Sequence, residues 1–352
     1  MFTKQLSLFE LPEDENQTHF PTQPENLDKY DRIIIAFSGG KDSLATLLLF
    51  LELGYGSKLE LWHHLIDGAP DEENFFDWHI TEAYCREIAL YFEIPIYFSY
   101  REGGFKREMM RENQATAPVW YQTKDHSWQS TGGKGKPNTR LKFPMPTASL
   151  QTRWCSSYLK ISVMDSAIRN QERFSKGKTL VITGERAEES AARAKYRDFE
   201  PHRTASKTRQ IDHWRPVLRW DRERIWGIIK KHGIVPHPAY YLGFSRTSCR
   251  NCIFLQKDDL STLYSIKPNH LEGIASLEQK LGSTIAYDKQ RGKQGLPQLD
   301  VVERAKQGRA RNVETRWIDA AWSKTWNLPI AVSSQDWELP LGAYSCLDSG
   351  SP

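Results

Sequence analysis

The sequence predicts an α/β protein built on an open, mostly parallel twisted sheet with helices on both faces, followed by a mostly helical C-terminal lobe. Three observations carry this. Arg32-Ile33-Ile34-Ile35-Ala36-Phe37 is a continuous apolar run, the pattern of a strand buried on both faces. A glycine-containing turn follows, and then helical periodicity from Lys41 to Leu53 that stops at Gly54. The same strand–helix alternation then recurs along the chain, which is the signature of a sheet with crossover helices.

Taken in order, residues 1–28 are polar, contain prolines and are rich in Asn, Gln and Glu, and read as a disordered tail. The α/β domain spans 29–233. Within it, Leu59 to Ile66 reads as a strand, Glu73 to Phe92 as a helix and Ile94 to Tyr100 as a strand. Residues 103–150 hold Gly-Gly, Lys-Pro and further prolines, and read as a basic insertion with little regular structure. Gln151 to Arg173 is helical, Thr179 to Thr183 a strand, Trp214 to Trp220 a short strand and Arg222 to His232 a helix. Residues 234–352 carry shorter periodic segments, read as the helical lobe, and contain Cys249-Arg250-Asn251-Cys252.

Bulk properties narrow the function classes. No apolar run reaches the roughly 18 residues of a membrane span. The longest, Leu44 to Leu53, is interrupted by Thr46 and Glu52. The N-terminus has no signal-peptide pattern, so the expected location is cytoplasmic. Five cysteines are an odd number, and in a reducing compartment they point to ligands or nucleophiles rather than disulfides. The net charge of +4 does not by itself indicate nucleic-acid binding. Local clusters say more: Lys124, Lys134, Lys136, Arg140 and Lys142 face one acid, Asp125, with Trp128 between them, and Lys289 to Arg316 is a second basic stretch. Such segments suit phosphate backbones, and read equally well as solvated loops.

The chemistry starts at Ser38-Gly39-Gly40-Lys41-Asp42-Ser43. A strand entering a glycine turn and then a helix converges backbone N–H groups and a positive helix end, which binds anions. Gly39 and Gly40 permit close backbone approach, Ser38 and Ser43 offer hydroxyls, and Lys41 offers charge. Asp42 is unexpected beside phosphate unless it positions a metal or caps the helix. The Walker spacing is absent. The segment resembles the PP-loop of the ATP pyrophosphatase family. That resemblance implies ATP and Mg²⁺ as ligands, pyrophosphate release and an adenylated substrate, with Lys41, Asp42 and Ser43 at the reacting phosphates.

Two further motifs extend the resemblance. Gly184-Glu185-Arg186-Ala187-Glu188-Glu189-Ser190, followed by Arg193, is similar to an element of the phosphoadenosine phosphosulfate (PAPS) reductase branch. It is another glycine turn after a strand, with Arg186 and Arg193 able to reach phosphates and Glu185 and Glu189 able to hold those arginines or Mg²⁺. A charged helix start is the plainer reading. Asp67, ending the second strand, sits where related proteins contact the nucleotide, and reads otherwise as a turn aspartate. Arg153-Trp154-Cys155-Ser156-Ser157-Tyr158-Leu159-Lys160 resembles the reductase segment with a Cys-Cys pair, except that Ser156 replaces the second cysteine. By that resemblance Cys155, Cys249 and Cys252 would hold a [4Fe-4S] cluster through three thiolates; zinc, or a metal-free structural pair, are the alternatives.

Reductases of the branch carry a C-terminal Glu-Cys-Gly-x-His element. The C-terminal cysteine here, Cys346 in Tyr344-Ser345-Cys346-Leu347-Asp348, does not match it. A long chain with Arg-Trp-Cys, a distal Cys-x-x-Cys and no reductase tail looks like the DndC/SspD-type DNA phosphorothioation proteins. The implied activity is ATP-dependent sulfur incorporation into nucleic acid, DNA ahead of tRNA, with a cysteine desulfurase as sulfur donor and other modification-complex subunits as partners. The alternatives are PAPS or adenylylsulfate reduction, tRNA thiolation, or a nucleotide-sensing DNA-binding subunit without catalysis. Gln5-Leu6-Ser7-Leu8-Phe9 resembles the peptide that docks on the bacterial sliding clamp, a further expected partner.

Overall fold

The computed structural model describes residues 22–345, apart from 148 and 286–287. The clamp-like peptide Gln5 to Phe9 and Cys346 lie outside the described residues. Eight strands form one sheet: β1 (Arg32–Ala36), β2 (Leu59–Leu65), β3 (Ile96–Arg101), β4 (Val119–Gln122), β5 (Trp128–Thr131), β6 (Lys178–Ile182), β7 (Phe199–Pro201) and β8 (Gln210–Trp214). Their order is β5-β4-β3-β2-β1-β6-β8-β7. The five central strands are parallel; the β4–β5 hairpin and β7 pair antiparallel at the two edges.

The helices are α1 (Lys41–Glu52), α2 (Thr81–Tyr91), α3 (Gly104–Met109), α4 (Trp154–Ser156), α5 (Ser162–Arg169), α6 (Arg222–Lys231), α7 (Lys257–Ile266), α8 (Pro268–Leu281), α9 (Lys289–Lys293), α10 (Val301–Ala305) and α11 (Thr315–Trp322). A π-helical turn, Ser157–Ile161, joins α4 to α5. The apolar run of β1 is buried on both faces, as its lack of alternation requires. Ile33 and Ile35 pack into a core with Leu44 of α1, Tyr84 of α2 and Ile225 of α6. Ile34 faces the other way, onto Val163 and Ala167 of α5. The first core continues without a break into the C-terminal helices through Leu260 and Leu271. Residues 330–332 return to hydrogen-bond Gly233 and Val235, tying the far end of the chain to the sheet domain.

Four expectations differ from what is observed. The helix expected from Glu73 starts at Thr81, because the backbone N–H groups of Phe76 and Asp77 are captured by the Asp67 carboxylate and hold that stretch as a loop. The segment 103–150 contains α3 and the β4–β5 hairpin, which extends the sheet. The strand expected from Trp214 ends there instead: Pro216 lacks an N–H for a ladder, and Leu218 and Trp220 close turns onto Arg215 and Val217. The expected tail reaches less far, since Leu27 is buried and Leu27–Lys29 forms a short 3₁₀ turn.

β1 lies between β2 and β6, whose connections leave in opposite directions. A crevice therefore opens at the C-terminal ends of the parallel strands, the place where such sheets bind ligands.

Candidate active site

The phosphate loop occupies that crevice. Gly39 has φ +74°, a conformation that side chains rarely adopt, and a Cβ there would meet the Cys85 sulfur at 3.1 Å. Gly40 is the N-cap of α1 and gives the helix no side-chain cap, so the positive end of α1 faces the crevice. Ser43 Oγ donates to the Gly40 carbonyl at 2.9 Å and accepts from Ser38 N–H at 3.2 Å, which fixes the turn. Lys41 lines neither of the cavities beside the loop. It is buried, and its amine donates to Asp42 Oδ2 at 3.1 Å and to the Ser245 carbonyl at 3.2 Å. Its backbone N–H donates to the Tyr240 hydroxyl at 2.8 Å, which also accepts from Thr247 Oγ1 at 2.8 Å.

The second glycine turn is pressed against the first. A Cβ at Gly184 would lie 2.9 Å from the Asp42 carbonyl carbon and 3.0 Å from Ser43 N, so only glycine fits without moving backbone. Asp42 neither caps α1 nor stands free for a metal. Its carboxylate bridges Lys41 and the buried Arg186, whose Nε donates at 2.6 Å. Burial opposes the Asp42 charge, yet the Lys41 and Arg186 cations outweigh it and hold the carboxyl below its ordinary range. Arg186 also pairs with Glu188, and is therefore a brace between the two turns rather than an open phosphate ligand. Glu189 accepts from the Arg186 backbone N–H, pairs with Arg193 and meets Arg246 at 3.4 Å. Glu185 pairs with Arg215 at 3.2 Å.

Two connected chambers flank the loop. The first, about 340 Å³, lies above the strand ends and is lined by His63, His64, His202 and His213. Burial drives all four imidazoles down, His63 to about 4 and the others to about 3, so they are neutral at pH 7. His63 Nδ1 donates to the Phe37 carbonyl at 2.8 Å, and its buried Nε2 has no partner. The second chamber, about 430 Å³, is lined by Gly40, Asp42, Glu189, Arg193 and the three motif cysteines, Cys155, Cys249 and Cys252. Ser38, Lys160, Glu185, Thr247 and Cys249 line both. Asp67 lines neither. It borders a separate acidic hollow beside Asp77, where burial first and Asp77 second raise its carboxyl to about 7.

The sequence-distant cysteines are brought together by residues that are themselves not sulfur. Between Cys249 and Cys252, the buried Arg250 donates to the Asn74 carbonyl at 2.8 Å and to His79, while Asn251 N–H and its amide bond Phe76 and Phe75. These bonds dock the Cys-x-x-Cys turn onto the Asp67-held loop, and Cys155 approaches from the start of α4. Among the described residues no group of three His, Cys, Asp or Glu is placed to hold a metal ion, and the thiols are free. Burial raises Cys155 to about 11 and Cys249 well above the ordinary thiol range, so both are protonated at neutral pH.

Sequence reasoning gave no role to Lys160, Tyr240, Arg246 or Thr247, nor to the four histidines. Lys160 stands five residues after Cys155 within the Arg153–Lys160 motif, a signal that was available. Tyr240 had none, because its partner Lys41 lies far away in the chain.

Residues 121–254 match the phosphoadenosine phosphosulfate reductase domain. The match spans both cysteine segments and the Gly184 turn, and the Ser38–Ser43 turn lies upstream of it. An uncharacterized 37.8 kDa protein in the gpa 5′ region of Escherichia phage 186 is 33% identical over 140 residues, covering 39% of this chain and 40% of that protein. The chain thus matches about two fifths of that relative's length. Candida glabrata FMN adenylyltransferase with FMN and the ATP analogue AMPCPP aligns at a TM-score of 0.35 and 12% identity, over 63% of this chain and 56% of that one. The same enzyme with FAD and inorganic pyrophosphate aligns at 0.35 and 13%, over 63% and 57%. Among the described residues no helix is long and apolar enough to cross a membrane.

Proposed function

We propose that this chain is an ATP-dependent adenylating enzyme that incorporates sulfur into nucleic acid, with the DNA backbone as acceptor. The observation that carries the reading is the junction at the phosphate loop. There Ser38, Glu185, Thr247 and Cys249 border both the histidine-lined chamber and the chamber holding the cysteines. Neutral imidazoles and the unpartnered Nε2 of His63 suit an uncharged heterocycle such as adenine, whose exocyclic amine donates. With adenine there, the triphosphate of MgATP meets the α1 N-terminus and its reacting end opens toward the thiols.

In the first step a non-bridging phosphate oxygen of the acceptor attacks the α-phosphorus of MgATP. The bond to the β-phosphate oxygen breaks, and pyrophosphate leaves with the electron pair. The Gly39 backbone N–H and the positive end of α1 stabilise that developing charge. In the second step hydrosulfide, supplied by a donor such as a cysteine desulfurase, attacks the activated acceptor phosphorus. AMP departs with the former phosphate oxygen, and the hydrosulfide proton goes to solvent. Cys155, Cys249 and Cys252 border the path of the sulfur nucleophile.

Pyrophosphate release from MgATP, measured with DNA, tRNA or neither and with hydrosulfide present, tests this directly. DNA-stimulated release together with phosphorothioate linkages in digested DNA is the expected result. Release with thiolated tRNA alone would move the acceptor to RNA. No release under any condition would leave a nucleotide-binding subunit.

A further inference from the structure

The register of the sheet divides the first basic stretch in two. β4 runs antiparallel to β3, with Arg101 opposite Val119, so it begins at the edge where the parallel strands end. The β4–β5 turn, which carries Lys124, therefore lies at the opposite edge. β5 then returns, pairing Thr131 with Val119, and delivers residues 132–142 to the edge that holds the phosphate loop.

That returning loop is fastened to the wall of the cleft. Asn138 bridges to Gln114, and Arg140 N–H donates to the Arg111 carbonyl at 2.7 Å. The Arg140 guanidinium lies 4.4 Å from the Trp154 ring centroid and 4.5 Å from that of Tyr158, and meets Glu108 at 3.5 Å. Trp154 and Tyr158 flank Cys155, so Arg140 spends its charge locking the loop beside the thiol chamber. Lys134, Lys136 and Lys142 are exposed, and none of them is in an ion pair among the described residues. Arg153, whose buried Nε lacks a partner, lines the chamber at the inner end of this path. In the second basic stretch Arg311 pairs with Asp259, and Arg316 with Glu314 and Glu338, while Lys293, Lys306 and Arg309 are exposed in the C-terminal lobe.

We infer that Lys134, Lys136 and Lys142 are a landing surface for the phosphodiester backbone of nucleic acid, which it guides past Arg153 into the thiol chamber. Lys124 plays no part in it. This deepens the function proposed above and rests on its nucleic-acid acceptor. Unpaired lysines on a loop held in place by its own arginine contact phosphates without reading bases, so binding is salt-dependent and indifferent to sequence.

The test uses the full chain and a fluorescent DNA duplex, with an RNA hairpin of similar length as second probe, titrated across NaCl concentrations. The K134Q/K136Q/K142Q variant is compared with Lys124→Gln and the wild type, and ATP binding is measured in parallel. The triple variant should lose about tenfold or more in affinity at low salt, and its log–log salt slope should shrink by about 3. Lys124→Gln should match the wild type, and ATP binding should hold in all three. Loss on both probes assigns the surface to the shared phosphodiester; loss on DNA alone assigns it to DNA. Wild-type affinity and slope in the triple variant, or equal loss in Lys124→Gln, would overturn the surface while leaving the acceptor standing. A wild type that binds neither probe would remove the nucleic-acid reading itself.

Discussion

Arg186, fully buried, donates through Nε to the Asp42 carboxylate at 2.6 Å, joining the turn after β6 to the phosphate loop after β1 across the centre of the sheet. Two motifs separated by more than 140 residues thus form one unit. Removing one partner of a buried ion pair costs about 3–5 kcal/mol where the other is left alone; Asp42 keeps Lys41, which places the loss at the lower end of that range. Arg186→Met should therefore destabilise the protein by that order in denaturant unfolding and weaken ATP binding. A variant of wild-type stability would show the pair to be incidental.

Gly184 tests the same contact sterically. The Cβ of Gly184→Ala meets backbone rather than a flexible side chain, so overpacking should cost about 1–3 kcal/mol and raise the Kd for ATP. Gly227, exposed within α6 with nothing near its Cβ position, is the control. Gly227→Ala should stabilise by about 0.5–1 kcal/mol and leave nucleotide binding unchanged, as calorimetry can measure.

Tyr240→Phe removes the hydroxyl that accepts from Lys41 N–H and Thr247 while keeping the ring. An unsatisfied buried N–H costs about 1–3 kcal/mol. Thermal unfolding should register that loss, and the phosphate loop, no longer pinned, should bind ATP more weakly. Unchanged ATP affinity would mean that the loop holds its shape without Tyr240.

Asp67 gives a pH signature. Its carboxyl moves from 3.8 to about 7 on folding, so between those values the folded state binds more protons than the unfolded state. Stability contributed by the protonated form is whole below about pH 4 and is lost as the pH rises through 7. Asp67→Asn cannot ionise, and should flatten this part of the stability profile, losing stability at pH 5 relative to its effect at pH 8. Parallel profiles for variant and wild type in denaturant melts would contradict the assignment.

The thiols separate the two half-reactions. Cys249→Ser should retain acceptor-stimulated pyrophosphate release, since adenylation needs no thiol, and slow formation of the sulfur product, whose nucleophile passes beside it. Iron, zinc and labile sulfide, measured on anaerobically prepared wild type, show independently whether the cysteines take up a metal. Loss of pyrophosphate release in Cys249→Ser would place that residue in adenylation instead.

Elements defined by neighbours in the chain were legible in advance. The double-sided burial of Ile33 to Ile35, the glycine turn at Gly39–Gly40 and the helix from Lys41 follow from local pattern, because periodicity and backbone freedom act over a few residues. The strand Gln210–Trp214 was missed because its polar residues mask the burial that neighbouring β6 imposes. The β4–β5 hairpin was hidden by its setting among prolines and glycines.

The sequence by itself determined the parallel α/β scaffold and the glycine turn between β1 and α1. Tertiary structure alone decided which charges remain available. Lys41 and Arg186, the cations most expected at phosphate, are consumed by Asp42, while Lys124 and Lys134 leave one hairpin at opposite edges of the sheet. The reason is physical: a side chain's charge is set by its type, but its partner and direction are set by strand register and by contacts from distant parts of the chain.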